Sequence, residues 1–259
     1  MINERNIALQ GVHNIRDLGG IKVEGGVVRP GKLIRSSSLA AASASDIRTL
    51  TDVCHVQQVI DLRTKTEASE APDATLPGAS YTLLPLAGED ALGISHSQGQ
   101  EEQLMSSLMK MDLTRMYTRL AGQPATEEWR KIFRLLLMPR DGAVLWHCSE
   151  GKDRCGMVSA MLLYALGASP EDVEADYLLT NIAALPRAEA MSKQAFARTQ
   201  REDVAQAVKA VFLAKQEYLS AALNAVQDIF GGINGFLEEV CLVDEDKRRL
   251  LREMYCEIL

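Results

Sequence analysis

The chain has 259 residues, 47% hydrophobic and 24% charged, a balance suited to a folded protein that buries a sizeable core. Its formal net charge of −7 offers no broad basic surface for neutralising a phosphate backbone, which argues against nucleic acid as a partner but allows a small basic pocket. The opening MINERNIALQGVHN lacks the basic-then-apolar order of a signal peptide, and no later run approaches the roughly 18 apolar residues of a membrane span. A cytoplasmic address without membrane insertion is therefore expected, although signal-independent export would leave no trace. Cys54, Cys148, Cys155, Cys241 and Cys256 are odd in number and form no CxxC pair, a pattern of reduced, mostly buried thiols rather than a disulfide scaffold or zinc site.

Near the start, Gly19-Gly20, Gly25-Gly26 and Pro30-Gly31 bracket short β-flavoured runs and predict a hairpin or meander. Ser45 and Asp46 can cap a short helix through Val53. Residues 56–62, VQQVIDL, read as a buried strand ending at Asp61-Leu62-Arg63, followed by a short helix, a loop and a second strand over 80–86. Residues 87–103 are polar, and the methionine-rich helical period after them is either a mobile lid, spanning 87–121, or a surface helix packed on the core. Thr126 starts a helix stopped by Pro139. AVLWH then reads as a strand, CSEGKDRCG as a loop, and MVSAMLLYALG as a helix ending at Gly167. Ser169 and Pro170 restart a helix with Glu171 and Asp172 in its first turn. Residues 186–259 read almost wholly as helix, broken at Gly231-Gly232. With no repeat or linker, the expectation is one α/β domain over 1–259 with a helical C-terminal part.

The chemistry lies in Cys148-Ser149-Glu150-Gly151-Lys152-Asp153-Arg154, between a buried strand and a helix. Five residues between cysteine and arginine let successive backbone N–H groups curl into an anion nest, at which the following helix aims its positive end. That field favours thiolate at Cys148, a nucleophile at neutral pH. The planar fork of Arg154 can bind two phosphoryl oxygens, as lysine cannot. Gly151 permits tight curvature, and Gly156 lets the helix start close to the loop. A bare CxxxxxR pattern is weak; the preceding strand and His147, the two glycines and the apolar helix make it specific.

HCSEGKDRCG, residues 147–156, resembles the HCxxGKDRTG signature of bacterial tyrosine phosphatases whose specificity extends to phosphoserine, phosphothreonine and phosphoinositides. HNIRDLGG (13–20), IDLRTKTE (60–67) and DYLLTN (176–181) agree with that family as well. The resemblance implies a central, mostly parallel sheet flanked by helices, and a two-step reaction. Cys148 attacks phosphorus, an acid protonates the leaving oxygen, and water hydrolyses the thiophosphate. Residues 149–154 hold the phosphate, and no metal or other cofactor is needed because the loop amides and Arg154 neutralise its charge. The implied partner is a phosphorylated protein or a phosphoinositide; the oligomeric state is not legible.

For the acid, Asp61 ranks first, because it ends a strand where open α/β sheets place their ligand crevice and the family's IDLR aspartate lies in the active site. Asp153 in the loop ranks second and Asp112 third. Asp61 could instead cap a turn or pair with Arg63, and Asp153 could orient Arg154 or the loop backbone. Lys152 either adds a second cation to the bowl, suiting a substrate with more than one phosphate, or serves solubility. Glu150 brings negative charge to the mouth. Arg16 and Asp17 either border the site or hold a turn as a pair. The family's threonine after the arginine is Cys155 here, a poorer hydrogen-bond donor and a possible redox partner for Cys148, or simply a small packing residue. Two other classes use such loops: sulfur- or arsenate-handling cysteine enzymes, against which the GKDR interior argues, and catalytically weak modules that bind phosphorylated ligands.

Overall fold

Short β-branched runs build the sheet of this computed structural model, which describes residues 5–86, 112–122 and 125–258. The N-terminal glycine-rich stretch supplies β1 (Arg16–Asp17), β2 (Lys22–Val23), β3 (Gly26–Val28) and β4 (Leu33–Ser36). The predicted hairpin is β2–β3, turning at Gly25 with φ of 74°. Helix α1 (Ala44–Arg48) is capped by Ser43, not Ser45, with Asp46 closing a reciprocal capping box. Next come β5 (Val56–Asp61), α2 (Lys65–Glu70) and β6 (Ser80–Leu83).

The main sheet has the order β1-β4-β7-β5-β6, where β7 is Ala143–His147. Strands β4, β7, β5 and β6 are parallel, and only β1 runs against its neighbour. The register sets Ser36, His147 and Asp61 side by side at the carboxyl edge, the edge where such sheets hold ligands. Alternation along β7 divides the core. Val144 and Trp146 join the large cluster with the C-terminal helices, whereas Ala143 and Leu145 pack with Val12, Ile34 and Leu50 on the other face.

Helix α3 (Leu113–Leu120) buries Leu113, Met116, Tyr117 and Leu120. This part of the expected lid is thus a core-packed helix, because one whole face of it is apolar; residues 87–111 lie outside the described residues. Helix α4 (Thr126–Leu136) precedes β7, and α5 (Asp153–Leu166) follows it, buried on almost every side. Helix α6 (Pro170–Thr199) starts at its predicted Ser169 cap and passes through Pro186 without ending. Then come α7 (Glu202–Phe212), α8 (Gln216–Phe230) and α9 (Glu245–Tyr255). The break at Gly231 is as predicted, with φ of 70°. The chain closes with a strand that helical patterning missed, β8 (Cys256–Ile258), which joins the β2–β3 hairpin in a second sheet. No helix among the described residues is long and apolar enough to cross a membrane.

Candidate active site

Strand β7 delivers His147 to the sheet edge, and the chain turns through residues 148–152 into α5. The helix therefore begins inside the motif, at Asp153, four residues earlier than the apolar run suggested. Gly151 has φ of 67°, and a β-carbon there would lie 2.6 Å from the carbonyl carbon and oxygen of Ser36. A side chain is excluded twice over, by conformation and by space. Gly156 has a different reason from the one expected: its missing β-carbon makes room for the Tyr177 ring, 2.9 Å from where that atom would sit.

The loop is held by its carbonyl groups. Ser38 N–H donates to Ser149 O at 3.2 Å. Asn14 Nδ2 donates to Glu150 O at 2.9 Å, and Arg35 Nη2 donates to Gly151 O at 2.8 Å and to Lys152 O at 3.3 Å. These partners engage the loop's carbonyl groups, an arrangement compatible with an anion nest of its N–H groups.

Arg35 is itself placed by Asp176 on α6, whose Oδ2 accepts from Arg35 Nη1 at 2.9 Å. The same carboxylate accepts from Arg16 Nε at 3.1 Å and Arg5 Nη1 at 3.0 Å. Burial alone would raise the Asp176 pKa, but Arg16 and Arg35 outweigh it and hold the group ionised, well below its ordinary value. Arg16 is lowered to about 10 by its burial and by the neighbouring Arg35 charge. Of the two readings of Arg16 and Asp17, the pair that holds a turn is not formed among the described residues. Asp17 accepts from Gly19 N–H and Gly31 N–H instead, closing the glycine turns.

Cys148 is 3% exposed, and its thiol is lowered to about 6. The main cause is the side chain of Cys155, which also reaches the sulfur through its backbone N–H; the charge of Arg154 adds to this, and burial opposes it. Cys155 is itself raised well above the ordinary thiol value, first by burial and then by the neighbouring thiolate. Arg154 lies on Glu67 with both prongs, Nη1 to Oε2 at 2.6 Å and Nη2 to Oε1 at 2.9 Å. Nη1 also donates to Leu62 O at 3.2 Å, and Ser149 Oγ donates to Glu67 Oε1 at 2.5 Å. Burial works to raise the Glu67 pKa, but the Arg154 fork brings it down to about 2. Glu67 also closes the N-terminal capping box of α2 with Thr64, so one helix start aims the carboxylate at the arginine.

The acid candidates separate clearly. Asp61 ends β5 as expected, but it is fully buried. Arg63 donates to its Oδ1 through Nε at 3.0 Å and to its Oδ2 through Nη2 at 2.8 Å, and Tyr81 Oη donates to Oδ2 at 2.7 Å. Burial would raise its pKa, but the Arg63 hydrogen bonds lower it below the ordinary value. Its alternative reading, a partner of Arg63, is the one the geometry realises. Asp112 caps α3 by accepting from Arg115 N–H at 2.9 Å. Glu150 is held by Arg187 at 2.6 Å and His13 at 3.3 Å. Asp153 keeps a side chain 22% exposed and, among the described residues, engages only Oδ1, which accepts from Tyr117 Oη at 2.6 Å and lies 3.5 Å from Lys152 Nζ. Since the Tyr117 proton is directed at Asp153, the 2.7 Å contact between the two hydroxyls makes Tyr177 the donor to Tyr117.

Lys152 is buried, and its Nζ donates to Val211 O at 2.5 Å and lies 3.5 Å from Leu213 O, at the end of α7. Its ammonium is neither a free second cation for the bowl nor a solubilising surface charge; unsatisfied carbonyl oxygens of a helix end attract it more strongly than open solvent would. Asp61, Asp73 and His147 bring ligand-type atoms within 4.8 Å of one another. Arg63 Nη2 lies 2.9 Å from Asp73 and 2.8 Å from Asp61, so this cluster already contains its own cation.

Glu67, Asp176, Arg35 and Tyr117 were not singled out by sequence reasoning. The first had a signal in the T-x-x-E box of residues 64–67, and Asp176 opens the DYLLTN segment. Arg35 and Tyr117 carried none.

The profile of the tyrosine phosphatase family matches residues 7–257. A putative tyrosine-protein phosphatase of Cupriavidus necator is 29% identical over 248 residues, covering 92% of this chain and 85% of its own. The triple specificity protein phosphatase PtpB of Mycobacterium tuberculosis is 28% identical over 261 residues, 89% of this chain and 92% of its own. A tyrosine-protein phosphatase of Nostoc commune is 26% identical over 149 residues, covering 57% of this chain and 47% of its own.

Proposed function

The chain belongs to the tyrosine phosphatase family and is a phosphatase of that type; within it we propose that Cys148 is the nucleophile of a metal-independent phosphotyrosine hydrolase in which Asp153 is the acid. The observation that carries this reading is the loop that joins Cys148 to Arg154, its carbonyl groups anchored by Ser38, Asn14 and Arg35, and the lowering of the Cys148 thiol to about 6 agrees with it. The thiolate attacks phosphorus in line, and the tyrosine oxygen leaves with a proton from Asp153. The loop N–H groups and Arg154 hold the three phosphoryl oxygens. Asp153, now ionised, then takes a proton from water as that water attacks the thiophosphate, and the Cys148 thiolate departs. Glu67 occupies the terminal edge of the Arg154 fork, so Nε–H is the donor without a partner among the described residues.

Hydrolysis of a phosphotyrosine peptide should disappear in Cys148→Ser and persist in a chelator. Loss of the rate in the chelator, or its survival in the serine variant, would contradict the mechanism. Inactivation by iodoacetamide should rise with pH to a plateau with its midpoint near the thiol value of about 6. In Cys155→Ala the midpoint should move up toward the ordinary thiol value of about 8.5, because the largest stabilising contact of the thiolate is gone. Glu67→Gln should lower kcat about 10-fold with KM unchanged or lower. The freed guanidinium still attracts phosphate but is no longer held in transition-state geometry, a loss at the lower end of one charge-assisted hydrogen bond, about 1.5 kcal/mol. A raised KM at intact kcat would instead assign Glu67 to ground-state binding.

The same loop accepts other phosphomonoesters, and the triple specificity in the name of the Mycobacterium relative favours testing phosphoserine, phosphothreonine and phosphoinositides beside phosphotyrosine. Because the Lys152 ammonium is engaged at the end of α7, Lys152→Ala should weaken all these substrates alike. A selective loss on phosphoinositides would restore the headgroup role for Lys152.

A further inference from the structure

Asp153 is gripped by a chain of two buried tyrosines, Tyr117 on α3 and Tyr177 on α6. The Tyr117 hydroxyl lies 2.6 Å from Asp153 Oδ1 and 2.7 Å from the Tyr177 hydroxyl. Packing fixes both rings. Tyr117 stacks on Tyr218 of α8 with ring centroids 5.8 Å apart, and meets Tyr177 edge-on at 6.1 Å. Tyr177 in turn occupies the space that Gly156 leaves open beside α5. Three helices thus set one hydroxyl at one oxygen of Asp153. Burial and the Asp153 charge raise the Tyr117 pKa well above its ordinary value, so that hydroxyl keeps its proton to donate.

The same chain decides which oxygen of Asp153 carries an acidic proton. Oδ1 faces the Tyr117 hydroxyl and, 3.5 Å away, the Lys152 ammonium, whereas Oδ2 has no partner among the described residues. A proton on Oδ1 would have to point at Lys152 or turn both hydroxyls around. Turned around, Tyr177 would direct its own proton to no acceptor among the described residues, and a buried donor without a partner is costly. On the reading of Asp153 as the acid, we infer that Tyr117, aligned by Tyr177, is its positioning residue, holding Oδ1 so that Oδ2 delivers the proton. As the bond from phosphorus to the leaving oxygen breaks, its electron pair stays with that oxygen, which takes the Oδ2 proton. Asp153 becomes a carboxylate, and the hydrogen bond from Tyr117 becomes charge-assisted and stronger. An interaction that strengthens toward the transition state raises kcat rather than substrate binding.

Steady-state kinetics of the full chain should be measured on aryl phosphates whose leaving phenols run from strongly acidic to tyrosine-like. Tyr117→Phe should lower kcat about 10-fold on the tyrosine-like esters, the difference between a hydrogen bond to a charged group and one to a neutral group. KM should stay unchanged, and kcat on the most acidic phenol should hardly move. In an Asp153→Asn background the same substitution should cost nothing further, since both changes remove one function. If Tyr117→Phe does not fold, Tyr117→Phe/Tyr177→Phe takes its place with the same expectations, because no buried hydroxyl is then stranded. An equal loss across the phenol series, a raised KM at intact kcat, or a full further loss in Asp153→Asn would overturn the inference and leave Tyr117 as packing alone. A flat phenol series in Asp153→Asn itself would refute the acid assignment, and the positioning role with it.

Discussion

Asp153→Asn is expected to lower kcat on phosphotyrosine substrates by about 10²- to 10⁴-fold, the usual contribution of a positioned acid. Tyrosine leaves poorly as an anion, with an ordinary pKa near 10, so protonation in the transition state matters most for it. An aryl ester with a much more acidic phenol leaves without help, and its kcat in the same variant should change far less. That contrast between leaving groups identifies an acid; a role limited to orienting Arg154 would depress both substrates equally. Asp61→Asn supplies the complementary result. Its carboxylate accepts from the backbone N–H, Nε and Nη2 of Arg63 and from the Tyr81 hydroxyl. Its removal should cost stability, about 3–5 kcal/mol for a broken buried ion pair, while the folded fraction keeps its leaving-group dependence. If Asp61→Asn alone shows the steep leaving-group effect, the assignment is reversed.

Asp176→Asn is expected to destabilise the fold by about 3–5 kcal/mol, because Arg16 and Arg35 would be left as buried charges without compensation. Urea unfolding at neutral pH measures this as a shifted midpoint at unchanged slope; a change under about 1 kcal/mol would mean that the three arginines repartner at no cost. The pH dependence has a definite sign. The folded-state pKa of Asp176 is depressed, so its contribution is fully present above the unfolded carboxylate value near 3.9 and declines as pH falls below it. The wild type should therefore lose stability in acid more steeply than Asp176→Asn. Activity should fall with stability, since Arg35 carries the grip on Gly151 O and Lys152 O.

How much of this was legible follows from how local each feature is. The AVLWH strand and its loop are local, and they stand where the pattern placed them because four apolar residues ahead of His147 and a glycine-bearing turn leave few alternatives. The start of α5 was placed late, since the polar Asp153 and Arg154 hide the first helical turn from an apolar period. Over α3 the stretch after residue 103 takes the second of its two readings, a helix packed on the core. Periodicity says that a helix has an apolar face, but only the partner, here α8 and the loop behind Tyr117, says where that face goes.

The sequence by itself determined the chemistry class: a cysteine and an arginine with five residues between them, a glycine that only a tight turn requires, and an odd second cysteine, all within ten residues. Tertiary structure alone decided which charges are spoken for. Asp61 is given to Arg63, Lys152 to the end of α7, Glu67 to Arg154, and Asp176 to three arginines, one of them 171 positions away. A buried charge takes whichever opposite charge or carbonyl dipole the fold brings within about 3 Å, and that neighbour is chosen by packing rather than by spacing along the chain.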